Sequence, residues 1–277
     1  RDRLRSRGLG DVYKRQTKDG VAGTSKIDQK SENVSVKSGS ANVKVAVSTF
    51  NAKGGFVISE IFFAGTKTPE GKQYSDDQYI IISNNSDVTL YADSIAVLES
   101  TFLTVTKYDY DPDIMNEAMT ADAIYMIPGT GKDVAVEPGK SLVLAINAKN
   151  HTEANPSSTD LSKADFEFYD ESANTRFQDD DNPNVPNLDK WFCYTNTYFS
   201  FHNRGFKSFA IARMHGDKEK YLEENTYAAN YVMEVAGNAY PMTNKNCVKV
   251  ANSWILDAVN LSCLLYTSPS PRDRSLS

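Results

Sequence analysis

The sequence is poor in the residues from which metal centres and redox sites are built. Its 277 residues include three cysteines, three histidines and two tryptophans. No two cysteines have the CxxC spacing of a zinc or redox site, and no GxSxG or HExxH signature occurs. No apolar run is long enough to span a bilayer. We therefore expect a chain that is not an enzyme and that holds no zinc or redox cofactor.

The two ends of the chain can be encoded by opposite strands of one DNA sequence. Ser6–Gln16 (SRGLGDVYKRQ) can be written in codons whose reverse complement, read one base out of frame, translates as CLLYTSPSPRD, and Cys263–Asp273 has that sequence. Unrelated protein segments have no reason to encode each other's opposite strand. We therefore predict that residues 1–16 and 263–277 are translated sequencing adapter at the ends of a metagenomic reading frame, and we set them aside.

Setting the ends aside changes the charge and the cysteine count. The whole chain has 30 basic and 36 acidic residues, a net charge of −6. The ends contain eight of the basic and three of the acidic residues, so the remainder has a net charge of −11. An acidic body repels phosphate backbones, and we expect no nucleic-acid partner. Cys193 and Cys247 remain, either as one disulfide or as two buried thiols.

Short apolar or alternating stretches separated by turn residues predict an all-β fold, a β-sandwich rather than alternating β/α units. Asn155–Asp189 is rich in Asp, Asn and Pro, and predicts a long, mostly irregular insertion with little core of its own and one helical turn at Leu161–Asp165. The predicted strands are Val43–Val47, Phe56–Phe63, Gln78–Ile82, Thr89–Tyr91, Ser94–Leu98, Phe102–Thr106, Ala123–Ile127, Ser141–Asn147, Tyr198–His202, Lys207–Arg213, Thr226–Val235 and Cys247–Ala251.

The order of these pieces predicts two segments between the adapter ends. Residues 17–51 form a linker or the remnant of an upstream immunoglobulin-like domain, because Ser, Lys, Asp and Gly dominate its first part. Residues 52–262 form the β domain, which we expect to be truncated at its C-terminal end.

The first half of this β domain resembles the lamin-tail domain. That family has an opening strand that ends in an acidic residue, a strand followed by an Asn-rich turn, and a Pro-Gly turn before the last strand. The matching motifs are Ile58-Ser59-Glu60, Gln78-Tyr79-Ile80, Asn84-Asn85-Ser86 and Glu137-Pro138-Gly139. The resemblance implies a lamin-tail or immunoglobulin-like β-sandwich.

The second half resembles an uncharacterised family of Bacteroidota lipoproteins of the DUF4876 type. The resemblance is carried by LSKADFEFYDES at Leu161–Ser172, NPNVPNLDKWF at Asn182–Phe192 and HNRGFKSFAIAR at His202–Arg213. It implies a cell-envelope location, as an outer-membrane lipoprotein or a secreted protein. Membrane contact is then expected only through an N-terminal lipid anchor upstream of this chain. The resemblance implies no catalytic role.

Calcium is the one cofactor that the sequence leaves open. Asp109, Asp111 and Asp113 alternate as the oxygen ligands of an EF-hand loop do. Ile114 stands where that loop needs Gly, and Thr120 where it needs a bidentate Glu. An acidic, solvated loop is therefore the favoured alternative for these three carboxylates.

Aromatic residues concentrate around the insertion and predict a ligand patch. Exposed rings beside Asp and Asn offer apolar faces with polar edges, which suits a glycan or a protein partner. A core that pins the loop is the alternative, and it is favoured for the tryptophan. The candidate residues are Tyr108, Tyr110, Tyr169, Trp191 and Tyr194.

Two functions follow from this reading. The first is a non-catalytic binding or structural module at the cell surface or in the periplasm, which binds a protein, a glycan or a nutrient. The second is an accessory β-sandwich domain of a truncated secreted hydrolase or nuclease, since lamin-tail modules also accompany bacterial nucleases.

Overall fold

The structure is a computed structural model that describes residues 12–18, 21–29, 47–49, 54–235 and 237–261. The chain divides into two units, Arg1–Gly54 and Gly55–Ser277. The predicted adapter segment at 263–277 lies outside the described residues. Residues 1–11 of the predicted N-terminal adapter segment also lie outside them.

The first unit contains a three-stranded antiparallel sheet. Its strands are β1 (Val12–Lys18), β2 (Val21–Gln29) and β3 (Val47–Thr49), and β2 lies between the other two. β1 includes the last residues of the segment interpreted as adapter. The pairing of two strands does not report on the origin of their codons, so the adapter interpretation stays a prediction.

The second unit confirms the predicted all-β fold. Its one α-helix in the described residues is α1 (Lys218–Asn225). Its strands are β4 (Phe56–Phe62), β5 (Thr66–Lys67), β6 (Gln73–Tyr74), β7 (Tyr79–Asn84), β8 (Leu90–Tyr91), β9 (Ile95–Ser100), β10 (Tyr108–Asp111), β11 (Ala118–Met126), β12 (Ala135–Val136), β13 (Ser141–Ala145), β14 (Phe166–Glu167), β15 (Asp189–Cys193), β16 (Ser208–Arg213), β17 (Thr226–Val235), β18 (Asn238–Ala251) and β19 (Ile255–Asn260).

These strands form two main sheets. The larger has the order β10-β17-β18-β11-β9-β16-β19, and β15 also pairs with β11. The smaller has the order β14-β13-β7-β4, in which the β13–β14 pair is parallel and the others are antiparallel. The hairpin β5-β6 and the antiparallel pair β8-β12 form two separate two-stranded sheets.

Side chains from both sheets form the main core, which contains residues of β7, β13, β9, β11 and β16. Every residue of β9 is buried, because this strand is covered on both faces. Ile95 and Val97 belong to the main core, whereas Ala96 and Leu98 belong to a second core that also contains Tyr221 of α1. A strand buried on both faces explains why its first four residues, Ile95–Leu98, are a continuous apolar run.

The insertion between β13 and β15 is mostly irregular, as predicted, but it has a core. Leu161, Ala164 and Val185 are buried and cluster with Ala145 of β13. Carboxylates replace strand pairing here: the backbone N–H groups of residues 148 and 182 donate to the two oxygens of Glu167. Buried backbone donors need such partners. The prediction of little core was therefore wrong.

Two predicted strands are irregular segments instead. Phe199 and Phe201 are buried at alternate positions, which is the pattern of a strand. Their backbone N–H groups, however, donate to the side chains of Asp170 and Gln78, both at 2.9 Å, and not to a neighbouring strand. The segment Phe102–Thr106 is a turn after β9, in which Thr104 N–H donates to the carbonyl of residue 206.

The sequence reasoning also missed α1 and β15. α1 begins after Asp217, whose carboxylate accepts from the N–H groups of Glu219 and Lys220. Tyr221 is its one buried residue, so no apolar periodicity marks it in the sequence. The helical turn predicted at Leu161–Asp165 is a simple turn, closed by a hydrogen bond between Ala164 N–H and the carbonyl of residue 161.

Candidate functional site

Six large side chains form a ladder across three neighbouring strands of the larger sheet. In an antiparallel sheet, directly opposed residues project from the same face. Tyr110 opposes Tyr231, which opposes Met242 on the far side. In the next row, Tyr108 opposes Met233, which opposes Tyr240. We call these six residues, Tyr108, Tyr110, Tyr231, Met233, Tyr240 and Met242, the tyrosine ladder.

Phe102 fixes one end of the tyrosine ladder. Its ring centroid lies 5.2 Å from Tyr108, 4.7 Å from Tyr110 and 5.1 Å from Tyr231. The rings meet edge to face or tilted, which is the favoured geometry for aromatic pairs. At the other end, Tyr240 and Met242 are 46% and 43% exposed. The ladder is therefore anchored at β10 and open to solvent at β18.

An open groove of about 480 Å³ adjoins the tyrosine ladder. Tyr110 belongs to both, and Phe102, which packs on Tyr110, also lines the groove, so the groove and the ladder are continuous. The end of β9, the loops after β9 and β10, Asn252 and the strands β11, β16, β17 and β19 contribute the rest of the lining. None of the described residues that line it has a charged side chain. A volume of this size is typical of small-molecule binding sites.

Neutral polar groups are spaced around the groove. The hydroxyls of Thr120 and Tyr227 lie 2.7 Å apart, and Ser208 donates to Asn260 Oδ1 at 2.6 Å. Burial raises the pKa of Tyr110 to about 12, so its hydroxyl stays protonated at neutral pH. The groove therefore offers hydrogen bonds without charge.

A buried ion pair holds the loop that forms one wall of the groove. The ammonium of Lys207 lies 2.6 Å from Asp122 Oδ2 and donates to the carbonyl oxygens of Ser100 at 2.6 Å and Thr101 at 2.9 Å. Both charged side chains are nearly buried. Three oxygens thus satisfy the three ammonium donors, and the chain direction after β9 is fixed.

Glu99 lies next to this pair and is itself buried, with 3% of its surface exposed. Its carboxylate accepts from the backbone N–H of His202 at 3.1 Å. Burial raises the pKa of Glu99 to about 7, although that hydrogen bond and nearby Lys207 both lower it. Burial also lowers the pKa of His202. These groups support the wall of the groove from within and do not line it.

The other histidine and cysteine side chains with buried atoms have structural contacts. His151 is fully buried, with Nδ1 2.8 Å from the Tyr74 hydroxyl and Nε2 2.9 Å from the Asn147 carbonyl oxygen. Cys193 and Cys247 are free thiols, so of the two alternatives the structure has two thiols and no disulfide between them. Burial raises the pKa of both, to about 11 for Cys247, and a protonated thiol is a poor nucleophile.

The structure brings together two of the five predicted patch residues. Tyr108 and Tyr110 lie in the tyrosine ladder. Trp191 is 7% exposed and packs edge to face on Tyr221 at 5.6 Å, so it belongs to the core and not to a ligand patch. Tyr169 is half-buried in the insertion, and Tyr194 is 63% exposed after β15. Neither lines the groove.

The rest of the site was missed because it depends on strand register. β17 was predicted with its observed bounds, but its partner β10 lies more than a hundred residues earlier in the chain. The sequence does not state which strands pair on the two sides of β17. The alternation of Tyr231 and Met233 with smaller or polar neighbours was the available signal. It indicates one face of a strand, without the neighbours that complete the surface.

Two of the three candidate calcium ligands lie on a strand and not in a loop. Asp109 and Asp111 are on β10, on the face opposite the tyrosines, and both are exposed. Asp113 follows the strand, and its Oδ1 accepts from Met115 N–H at 3.0 Å. An extended strand does not wrap its carboxylates around one point, so the EF-hand-like geometry is wrong. In the part of the chain that the structure describes, no three His, Cys, Asp or Glu side chains are grouped to hold a metal ion.

Comparison with known proteins gives one family and one solved structure. Residues 137–267 match the family described as Protein of unknown function (DUF4876), which is less than half of the chain. A crystal structure of a DUF4876 family protein from Bacteroides thetaiotaomicron is similar, with a TM-score of 0.59 and 20% sequence identity. The similarity covers 86% of this chain and 61% of that one, so this chain spans less than two thirds of the solved protein. No curated protein matches the sequence.

The family match and the similar fold confirm the resemblance of the second half of the chain to DUF4876-type proteins. The lamin-tail and adapter interpretations stay predictions. Within the described residues, no helix has the length and apolar character that a membrane-spanning segment requires.

Proposed function

We propose that this chain is a non-catalytic binding module of a cell-envelope protein, and that its ligand lies in the groove beside the tyrosine ladder. The observation that carries the proposal is a groove of about 480 Å³ whose described lining combines aromatic rings with uncharged hydrogen-bonding groups. Such a lining favours the binding of a ligand over its chemical conversion, because acid–base catalysis is most effective with a group whose pKa lies near the working pH. Burial raises the pKa of Tyr110 to about 12 and raises the pKa of Tyr227.

The buried charged groups of the second unit support the non-catalytic part of the proposal. Lys207 is occupied by Asp122 and two carbonyl oxygens, and the ring nitrogens of His151 are both engaged. Groups that hold the fold in this way are not free to exchange protons with a ligand. The envelope location rests on the resemblance to Bacteroidota lipoproteins and on the similarity to a Bacteroides protein.

Filling the groove tests the proposal. Ala258 is exposed on β19 and lines the groove, so Ala258→Trp places a ring inside it without disturbing the core. Leu256 is on the same strand, is 43% exposed and does not line the groove, so Leu256→Trp is the matched control. The probes are neutral and anionic oligosaccharides, phosphatidylcholine vesicles and a peptide library, each measured by surface plasmon resonance.

We expect one class of probe to bind the unmodified chain and the Leu256→Trp variant, and to lose binding to Ala258→Trp. The bound probe is also expected to be recovered unchanged by mass spectrometry after prolonged incubation. Equal binding to both variants, or binding of no probe, contradicts the position of the ligand site. Recovery of a cleaved probe contradicts the non-catalytic role.

A further inference from the structure

We infer that the ligand of the groove is an uncharged oligosaccharide that continues from the groove onto the tyrosine ladder. This inference rests on the proposed function and names the class of its ligand. Three properties of the site carry it: the absence of charge in the described lining, the distribution of neutral hydrogen-bonding groups, and the surface of tyrosine and methionine side chains that leads from Phe102 to Tyr240.

The first property excludes charged ligands. The whole chain has an excess of acidic residues, yet Asp109 and Asp111 point away from the ladder face and none of the described groove residues is acidic. A cation in the groove would lose hydration without gaining a carboxylate. An anion would find no Lys or Arg among the described lining residues and would meet the repulsion of the acidic chain. The site therefore favours a neutral ligand.

The second property distinguishes a sugar from a lipid or an apolar peptide. The Thr120–Tyr227 and Ser208–Asn260 pairs each leave further donor or acceptor capacity, because a hydroxyl can take part in more than one hydrogen bond. The amide nitrogen of Asn252 donates to the Met115 carbonyl, and its Oδ1 adds an acceptor to the groove lining. An apolar ligand would displace water from these groups and return no hydrogen bonds. Sugar hydroxyls replace those bonds.

The third property favours a ligand that is longer than the groove itself. Sugar rings have apolar C–H faces that pack on aromatic rings, and Phe102 and Tyr110 supply such rings at the mouth of the groove. Tyr231 and Tyr240 extend the surface over β17 and β18, a further distance of about 10 Å at the usual strand spacing. An oligosaccharide that fills the groove therefore has further rings to contact.

The test uses immobilised neutral glucose and N-acetylglucosamine chains of two to six units, with uronic-acid chains and phosphatidylcholine vesicles as the charged and lipid arms. The variants are Tyr110→Ala, which removes a ring, and Tyr227→Phe, which removes only a hydroxyl. Tyr91→Ala is the control, because Tyr91 is 37% exposed and lies outside the groove and the ladder.

We expect neutral chains to bind more tightly as they lengthen. Tyr110→Ala should weaken binding at least about tenfold, and Tyr227→Phe about three- to tenfold, the loss of one hydrogen bond. Tyr91→Ala should leave binding unchanged. A hydroxyl deletion that keeps the ring distinguishes sugar recognition from a structural role, provided that the variant melts at the temperature of the unmodified chain.

Three outcomes overturn the inference: no neutral chain binds, the uronic-acid chains or vesicles bind instead, or Tyr110→Ala and Tyr227→Phe bind as tightly as the control. These results are distinct from failure of the proposed function. If a vesicle or peptide binds and Ala258→Trp abolishes that binding, the groove remains the ligand site and only the ligand class is wrong.

Discussion

At the scale of single residues, acidic side chains hold loops together from inside the molecule. Asp93 is fully buried, and its oxygens accept from the backbone N–H groups of Gly131, Asp133 and Val134. Burial by itself raises the pKa of Asp93, but these hydrogen bonds outweigh burial and lower it. The carboxylate thus stays ionised and replaces strand pairing for a Gly-rich turn.

Lys207 is the residue whose loss should most damage the wall of the groove. Lys207→Met leaves Asp122 and two carbonyl oxygens without their donor, and breaking a buried pair on one side costs about 3–5 kcal/mol. We expect urea denaturation to report a loss of this size. Lys220→Met is the control, because Lys220 and Glu224 are exposed and 3.9 Å apart. A loss below about 1 kcal/mol for Lys207→Met would show that the pair does not hold the loop.

Glu99 should make the folded state less stable as the pH rises. Its pKa in the folded state, about 7, is above the ordinary value of 4.5, so the folded state binds the proton more tightly. Its stabilising contribution is complete below about pH 4.5 and is lost by about pH 7, on the order of 3 kcal/mol. Glu99→Gln removes this contribution to the pH dependence. Urea denaturation between pH 4.5 and 8 measures it.

Comparing the unmodified chain with Glu99→Gln separates the effect of Glu99 on stability from the effects of other titrating carboxyls. One of these is Asp179, because burial raises its pKa to about 7. The difference in unfolding free energy between the unmodified chain and Glu99→Gln should therefore change across this pH range. A constant difference would mean that the pKa of Glu99 in the folded state equals its pKa in the unfolded state.

At the scale of elements, strand existence was readable from the sequence and strand neighbours were not. Phe56–Phe62, Tyr79–Asn84 and Ser208–Arg213 lie where alternation and β-branched residues predict strands. The failure at Tyr198–His202 has a specific cause, since the backbone donors there meet side chains 29 and 123 positions away. No local pattern encodes such a partner.

The candidate site follows the same rule. Tyr108 and Tyr110 were found because they are aromatic residues beside Asp side chains, which suits a ligand patch. The four residues that complete the tyrosine ladder come from β17 and β18, more than a hundred positions later. Trp191 was a patch candidate for which a core position was the favoured alternative, and it packs in the core on Tyr221, which lies on a helix that the sequence reasoning missed.

Helix α1 depends on its N-cap. It has eight residues, and an isolated helix of that length is marginal in water. Asp217→Ala removes the acceptor for two N–H groups and should cost about 1 kcal/mol, measured by urea denaturation. Glu223→Ala, an exposed change within the helix, should have little effect. If Asp217→Ala and Glu223→Ala were equally stable, the N-cap Asp217 would not be needed to hold α1 in place over Trp191.

At the scale of the whole molecule, the charged side chains that support the fold lie apart from the uncharged surface proposed to bind the ligand. Several carboxylates are buried as loop supports, among them Asp93, Glu99, Glu167 and Asp170. The exposed acids Asp109 and Asp111 occupy the opposite face of the strand that carries Tyr108 and Tyr110. The uncharged groove is thus a distinct surface in an acidic chain, which is the basis of the proposed function.

The position of the ligand is the central claim, and amide chemical shifts measure it most directly. The measurement is a two-dimensional ¹H–¹⁵N spectrum of the labelled chain, titrated with a neutral glucose or N-acetylglucosamine hexasaccharide. The account predicts that the largest shifts occur at Phe102, Tyr110 and Tyr227, with smaller shifts at Tyr240. Shifts centred on His215 and the neighbouring helix α1, or no shifts at saturating hexasaccharide, would contradict it.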